Sequence, residues 1–236
     1  MIIKIATWNI ERKSSDSWQS REICEILKEF DGEINCLTEA WKDSSLGLGG
    51  FEISGKGVQW SKFHPKERKV VLQSKMPWKD VDSVGADGCE FGGFVSGTTV
   101  TSIGKVKCVG VCIPYFGASP YLQASKSPQW QEHKRFIQGL AKLVLGHDFS
   151  VPLVILGDFN QKSPPSPRNR VVYDELMNAL GGVKILTSGT DHNLIDHIAT
   201  TRNFSLSNLK IVSNYNSQGK KLSDHLGVFG ELSFSK

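Results

Sequence analysis

The segment VPLVILG (151–157) is an unbroken apolar run that stops abruptly at Asp158, Phe159 and Asn160. A short run of this kind is a strand covered on both faces, because a strand with one wet face would alternate apolar and polar residues. Further strand-like segments, rich in β-branched and aromatic residues, occupy 2–10, 34–41, 69–74, 94–103, 105–115, 193–201, 209–214 and 225–234. Three segments carry helical spacing instead. In 20–30 the stripe is Ile23, Ile26, Leu27 and Phe30, and in 129–146 it is Phe136, Ile137, Leu140 and Val144, with Gly146 placed to end the helix. In 170–182 the inward residues are Val172, Leu176, Ala179 and Leu180, followed by Gly181 as a cap. Helices spaced this irregularly among strands predict two mixed sheets packed together with helices outside, not a strict β-α repeat. No linker-like shift in composition and no repeat divides the chain, so one domain over 1–236 is expected.

Composition narrows the class. With 39% hydrophobic and 22% charged residues, the 236-residue chain is a folded globule, neither disordered nor fibrous. No apolar run approaches the roughly 20 residues that span a bilayer. The opening MIIKIATWNIERK reads as a strand and lacks the basic region and small-residue site of a secretion signal. The five cysteines (24, 36, 89, 108 and 112) include no CxxC pair, which argues against a disulfide framework and a cysteine zinc site. A reducing, cytoplasmic location is expected. The net charge of +4 is mild, but Lys56, Lys62, Lys66, Arg68, Lys69, Lys75 and Lys79 concentrate in 56–80. A smaller group, Lys162, Arg168 and Arg170, lies in the proline-rich stretch 161–170. Such lysines either deter edge pairing or form a rim that attracts phosphate.

Polar residues at strand ends carry the chemistry. Asp158 and Asn160, two apart beyond a buried strand, project to one side and suit a water-orienting carboxylate with an amide for a phosphoryl oxygen, or equally a turn. Asn9 and Glu11 repeat the spacing after the first strand. Glu39 stands among apolar neighbours in LTEAW and, if buried, needs a cation, a metal or a proton. A salt bridge or simple exposure would also satisfy it. Of three Asp-His pairs, Asp191-His192 lies in a polar turn and reads as structural. In Asp196-His197, inside a strand, only one side chain can enter a given site; Asp196 is assigned there and His197 to packing or the surface. Asp224-His225 precedes the last strand, where turning backbone lets both side chains converge, and a buried Asp would fix the tautomer of His225 and raise its basicity.

The joint order WNIE, TEAW, GDFN, IDHI and SDH, from Asn9 to His225, resembles the endonuclease/exonuclease/phosphatase superfamily of metal-dependent phosphoesterases. The resemblance implies an α+β fold, a four-layer α/β/β/α sandwich of two mixed β-sheets flanked by helices, with the site at one end. It implies Glu39 as the main ligand of Mg²⁺ or Mn²⁺, with Asn9, Asp224 and, more loosely, Glu11 beside it. It implies Asp158 and Asn160 as the pair positioning water and phosphate, and His225 as the catalytic histidine oriented by Asp196. Two positions depart from the pattern. Thr38 stands where a glutamine is common, and Cys112 where relatives carry a Tyr or His that contacts the phosphate or leaving group. Tyr115, His133 and Arg135 are the residues expected to compensate, and Lys162 is a further substrate contact.

The reading is therefore a metal-dependent phosphoesterase. The basic stretch, interleaved with Trp60, Phe63 and Trp78, favours a nuclease with DNA as partner. The alternatives are a phosphatase or phosphodiesterase for a small or lipid-derived phosphoester, and a non-catalytic binding module on the same scaffold. A monomer without membrane or obligate protein partner is expected.

Overall fold

The computed structural model describes residues 1–44, 46–57, 65–89, 92–119, 127–190, 194–201 and 203–235. Lys62, Trp60, Phe63 and the pair Asp191-His192 lie outside the described residues.

Two six-stranded sheets stack face to face. The first contains β1 (Ile2–Asn9), β2 (Ile34–Trp41), β3 (Phe51–Ser54), β4 (Glu67–Ser74), β11 (Phe204–Val212) and β12 (Gly227–Phe234), in the order β11-β12-β1-β2-β4-β3. The second contains β5 (Lys79–Asp82), β6 (Phe94–Thr101), β7 (Gly104–Cys112), β8 (Leu153–Asp158), β9 (Lys184–Ile185) and β10 (Asp196–Thr200), in the order β5-β6-β7-β8-β10-β9. Each sheet has one parallel pair at its centre, β1 with β2 and β7 with β8, and antiparallel neighbours outward. A helix bridges each parallel pair, as such a crossover requires: α1 (Trp18–Phe30) in the first sheet and α2 (Gln131–Leu145) in the second. A third helix, α3 (Arg170–Leu180), follows β8. The four-layer sandwich is as expected.

Three apolar clusters hold the layers. Ile5, Cys36, Val70 and Leu72 meet Val106, Cys108, Val154 and Leu156 between the sheets. Ile23 and Leu27 of α1 seal the outer face of the first sheet against Trp8, Leu37 and Val71. Phe136, Leu140 and Val144 of α2, with Leu176 and Leu180 of α3, cover the second sheet at Ile155 and Val111. The strand that opened the sequence argument, β8, is buried at all six residues because it has the other sheet on one face and two helices on the other. Ser17 caps α1 by accepting from the Ser20 backbone N–H, and Gly181 ends α3 in the left-handed region as expected. Gly146 ends α2 with right-handed backbone.

Three strands were not expected. β3, β5 and β9 are edge strands of four, four and two residues, FEIS, KDVD and KI, with too few apolar positions to show a period. β11 begins at Phe204, earlier than expected, because one face is largely exposed and a bulge near Asn208 interrupts its pairing with β12. Among the described residues, no helix is long and apolar enough to cross a membrane.

Gly157, the last residue before Asp158, has φ 138°, and a Cβ there would collide with the Val111 carbonyl across the β7–β8 ladder. Gly157→Ala is therefore expected to cost roughly 2–4 kcal/mol. Urea unfolding should show the loss as a lower midpoint with an unchanged slope.

Candidate active site

Topology brings the polar strand ends together. β1 and β2 run parallel and end at Asn9 and Trp41; β12 is antiparallel to β1, so it starts beside the point where β1 stops. In the second sheet β10 is antiparallel to β8, and Asp196 is the direct partner of Asp158. Two hydrogen bonds join the two sets: Asn9 Nδ2 donates to Asp158 Oδ2 at 3.1 Å, and His225 Nδ1 donates to Asp196 Oδ2 at 2.5 Å.

Asp158 is 2% exposed and fully engaged. Its Oδ1 accepts from the Asn160 backbone N–H at 2.8 Å, and Oδ2 accepts from Asn160 Nδ2 at 3.1 Å as well as from Asn9. Asn160, with φ 50°, also donates from Nδ2 to the Ile113 carbonyl at 2.8 Å. Both of its amide hydrogens are thus committed inside the protein. The donor role toward phosphate expected of Asn160 gives way, in this arrangement, to holding Asp158 in place.

Asp196, also 2% exposed, accepts from His225 Nδ1 at 2.5 Å, while its Oδ1 is buried without a hydrogen-bond partner. His225 is fixed at its main chain too. Its N–H donates to Ser223 Oγ at 3.2 Å, Ser223 Oγ donates to the Asn9 carbonyl at 2.5 Å, and Trp8 Nε1 donates to the His225 carbonyl at 2.9 Å. His225 Nε2 lies 3.9 Å from Oδ1 of the half-exposed Asp224. Burial works against the charged imidazole, but the hydrogen bond and charge of Asp196, then Asp158 and Asp224, raise it to about 9. Burial, followed by the facing Asp196, raises Asp158 to about 7, with His225 pulling the other way.

Glu39 keeps company with cations. Its φ of 45° takes it out of the strand alternation, and Glu11 (φ 50°) and Arg12 (φ 54°) are left-handed as well. Glu39 Oε1 accepts from Arg12 Nη2 at 3.0 Å and from Lys69 Nζ at 3.1 Å. Burial pushes its carboxyl up, but Lys69 and Arg12 together outweigh burial and hold it below the usual range. Of the options left open for this carboxylate, the salt bridge is the one observed. Glu11 lies 3.3 Å from Lys13 Nζ and 3.6 Å from Lys221 Nζ.

The compensating residues fall out differently. Tyr115 is exposed and sits edge-on to exposed Phe116, with centroids 6.0 Å apart. Lys162 is exposed between two anchored neighbours, Gln161 and Ser163. Arg135 is turned to Asp87 at 3.5 Å, in the loop after β5. His133 is fully buried and does not face the site: Nδ1 donates to the Pro114 carbonyl at 2.6 Å and Nε2 accepts from Gln161 Nε2 at 2.6 Å. His197 is the packing residue expected, donating from Nε2 to the Gln161 carbonyl at 2.9 Å and accepting at Nδ1 from Thr187 Oγ1 at 2.9 Å. Both histidines brace the loop that begins at Gln161. Arg12, Lys69, Gln161 and Ser223 were not foreseen; Arg12 follows WNIE directly, but nothing in the pattern pairs Lys69 with Glu39.

The model of the Endonuclease/Exonuclease/phosphatase family matches residues 6–225. The chain belongs to this family. Solved structures share the fold at low identity. An endonuclease/exonuclease/phosphatase from Beutenbergia cavernae is 16% identical with a TM-score of 0.67, over 99% of this chain and 72% of that one. D. rerio TDP2, solved with a single strand DNA product, is 11% identical with a TM-score of 0.67, over 98% and 99%. Sphingomyelinase C from Streptomyces griseocarneus is 15% identical with a TM-score of 0.64, over 98% and 99%. No curated protein sequence matches the chain.

Family membership and the acidic cluster together make this a metal-dependent phosphoesterase. The cluster fits a divalent cation on its own chemistry. Asp158, Asp196 and His225 bring ligand atoms within 4.8 Å of one another, and two facing buried carboxylates, one with an orphaned oxygen, share the single positive charge of His225.

His133 supplies a pH test. Burial lowers it from 6.5 to about 4, against the opposing hydrogen bond to Pro114. The unfolded chain therefore binds this proton more readily, so the stabilisation is complete above about pH 6.5 and is lost as pH falls through about 4, a span of about 3 kcal/mol. Urea unfolding of His133→Gln should lack that part of the acid slope, while the remaining slope from His197, lowered by burial, persists.

Proposed function

We propose that this chain hydrolyses a compact, soluble phosphoester, as a phosphodiesterase or phosphatase, with Asp158, Asp196 and His225 as the reacting centre. The carrying observation is the buried Asp158–Asp196–His225 group, tied to Asn9 and Asn160. With Nδ1 held by Asp196, His225 presents Nε2 to take a proton from the attacking water, and Asp158 orients that water. Asp158 and the unpartnered oxygen of Asp196 would hold the cation, Mg²⁺ or Mn²⁺, with Glu39, Asn9, Asp224 and Glu11 as further candidate ligands, which leaves His225 Nε2 free to act as the base. Such an ion, when bound, would offset the carboxylates that raise His225 and would supply positive charge for the phosphoryl oxygens. Asn160 keeps Asp158 rigid through this, and Tyr115 and Lys162 are the nearest exposed candidates for contact with the rest of the substrate.

The choice of a compact substrate rests on the distribution of the basic stretch. Lys75 pairs with Asp31 at the opposite end of β4, and Trp78 donates to the Phe51 carbonyl as a packing residue. Lys69 and Arg12 converge on Glu39 instead of lining a continuous DNA track. Recognition is thus local, one phosphate with one neighbouring group. DNA remains the second reading, favoured by the exposed Tyr115–Phe116 pair on which a base could stack. The solved neighbours named for a single strand DNA product and for sphingomyelin support phosphodiester chemistry without choosing between these substrates.

A panel of p-nitrophenyl phosphate, bis-p-nitrophenyl phosphate, nucleotides, inositol phosphates, single-stranded oligonucleotide and sphingomyelin vesicles, assayed with Mg²⁺ and Mn²⁺, tests this. Small soluble esters should give the highest kcat/KM, EDTA should abolish it, and Asp158→Ala or His225→Ala should lower kcat by about 10²–10⁴-fold. Preferential cleavage of the oligonucleotide would transfer the assignment to a nuclease, and full activity in EDTA would end it.

A further inference from the structure

Lys69 is a charged residue in an unusual place. The β2–β4 ladder pairs Thr38 with Val70 and Ala40 with Arg68, an unbroken register that sets Glu39 opposite Lys69. The left-handed backbone at Glu39, which an L-residue adopts only when its surroundings enforce it, accompanies this contact. Glu39 divides its single negative charge between Lys69 and Arg12 through one oxygen, so Lys69 is only partly compensated. Its side chain keeps 21% exposure and is not sealed from solvent.

Cys112 of the second sheet is in register with Asp158 on the neighbouring strand. Burial pushes the Cys112 thiol well up, so it stays neutral and is a weak hydrogen-bond donor. The charge this thiol feels most is Lys69, followed by Asp158, Glu39 and Asp196. Geometry carries Lys69 to the same end of the sandwich as the reacting carboxylates: it holds Glu39, whose neighbour Thr38 pairs with Asn9, and Asn9 donates to Asp158 beside Cys112.

Building on the phosphoesterase reading, we propose that Lys69 is the anion-binding residue of this site: its ammonium takes a non-bridging phosphate oxygen of the substrate. Glu39 then acts as the tether that aims Lys69, in addition to any part it plays toward a cation. A compact ammonium suits a single phosphate oxygen, and its charge makes the contact strong where water is partly excluded.

Two titrations separate this role from a structural one. Inorganic phosphate is titrated calorimetrically into the full chain without turnover, and Mn²⁺ alone is titrated in a parallel experiment. Lys69→Met should weaken phosphate binding about tenfold or more, and Lys69→Arg should stay within about threefold of the wild type. Mn²⁺ should bind each variant no more weakly than the wild type, since removing a cation beside the carboxylates cannot reduce their attraction for another. Lys69→Gln, which keeps a donor to Glu39 while losing the charge, replaces the Met variant if that one does not fold, with the same loss expected. Unchanged phosphate affinity in a folded variant overturns the proposal, and so does absence of phosphate binding by the wild type. Parallel loss of Mn²⁺ and phosphate overturns it too, by making Lys69 a support for Glu39 only. Phosphate binding that depends on Lys69, in a protein that cleaves no ester of the panel, would leave this inference standing and remove the hydrolase reading instead.

Discussion

Asp158 and Asp196 are direct partners on adjacent antiparallel strands, each almost wholly buried, and their mutual repulsion is the constraint around which this end of the molecule is arranged. Two like charges so placed are tolerated only with donors and positive charge close by. The protein supplies Asn9 and Asn160 to one carboxylate and the His225 imidazole to the other. Even so, one oxygen of Asp196 has no partner, and Asp158 holds its proton more tightly than a free aspartate. The same deficit that destabilises the resting site makes it attractive to a hard cation. Left-handed backbone at Glu11, Arg12, Glu39 and Asn160 gathers in the same region, where rigid strands can hold it.

The three described histidines with the clearest roles show how surroundings, not residue type, assign function. His133 and His197 lie in the apolar layer under α2 and α3, with neutral partners such as Pro114, Gln161 and Thr187, and burial keeps them uncharged. His225 is also largely buried, yet it faces Asp196, Asp158 and Asp224 and is held toward the charged form. The two neutral rings fix the loop from Gln161, which follows the Asp158–Asn160 turn, so they serve the site through its geometry.

What the sequence revealed follows from which forces are local. The helices α1, α2 and α3 were legible because their apolar stripes repeat within one element, and β8 because both of its faces are covered. Strand alternation showed that Asp196 and His197 face opposite ways, but not which of the two enters the site. The edge strands β3, β5 and β9 were illegible because pairing on one side and solvent on the other impose little pattern on four residues or fewer. The cations on Glu39 were equally hidden: Arg12 and Lys69 are 27 and 30 residues away from it and meet it only after β1, β2 and β4 have paired. A buried glutamate announces that it needs a counter-charge, but not whether a metal or a lysine provides it.

The arrangement of the two sheets explains why the functional residues are scattered from Asn9 to His225 and still converge. Each sheet repeats the same scheme, a central parallel pair bridged by a helix with antiparallel strands outward. Parallel strands end on the same side, so β1 and β2 deliver Asn9 and Glu39 together, and β8 delivers Asp158 beside Cys112 of β7. The antiparallel neighbours β12 and β10 begin at those same ends, which is why His225 and Asp196 precede or open a strand where Asn9 and Asp158 close one. The Asn9–Asp158 and His225–Asp196 hydrogen bonds and the apolar layer beneath them keep these ends coincident as the sheets stack. The pocket is then a property of the topology, and what distinguishes this chain within it is the set of side chains, Lys69 and Cys112 among them, that fill the gap between the two sheets.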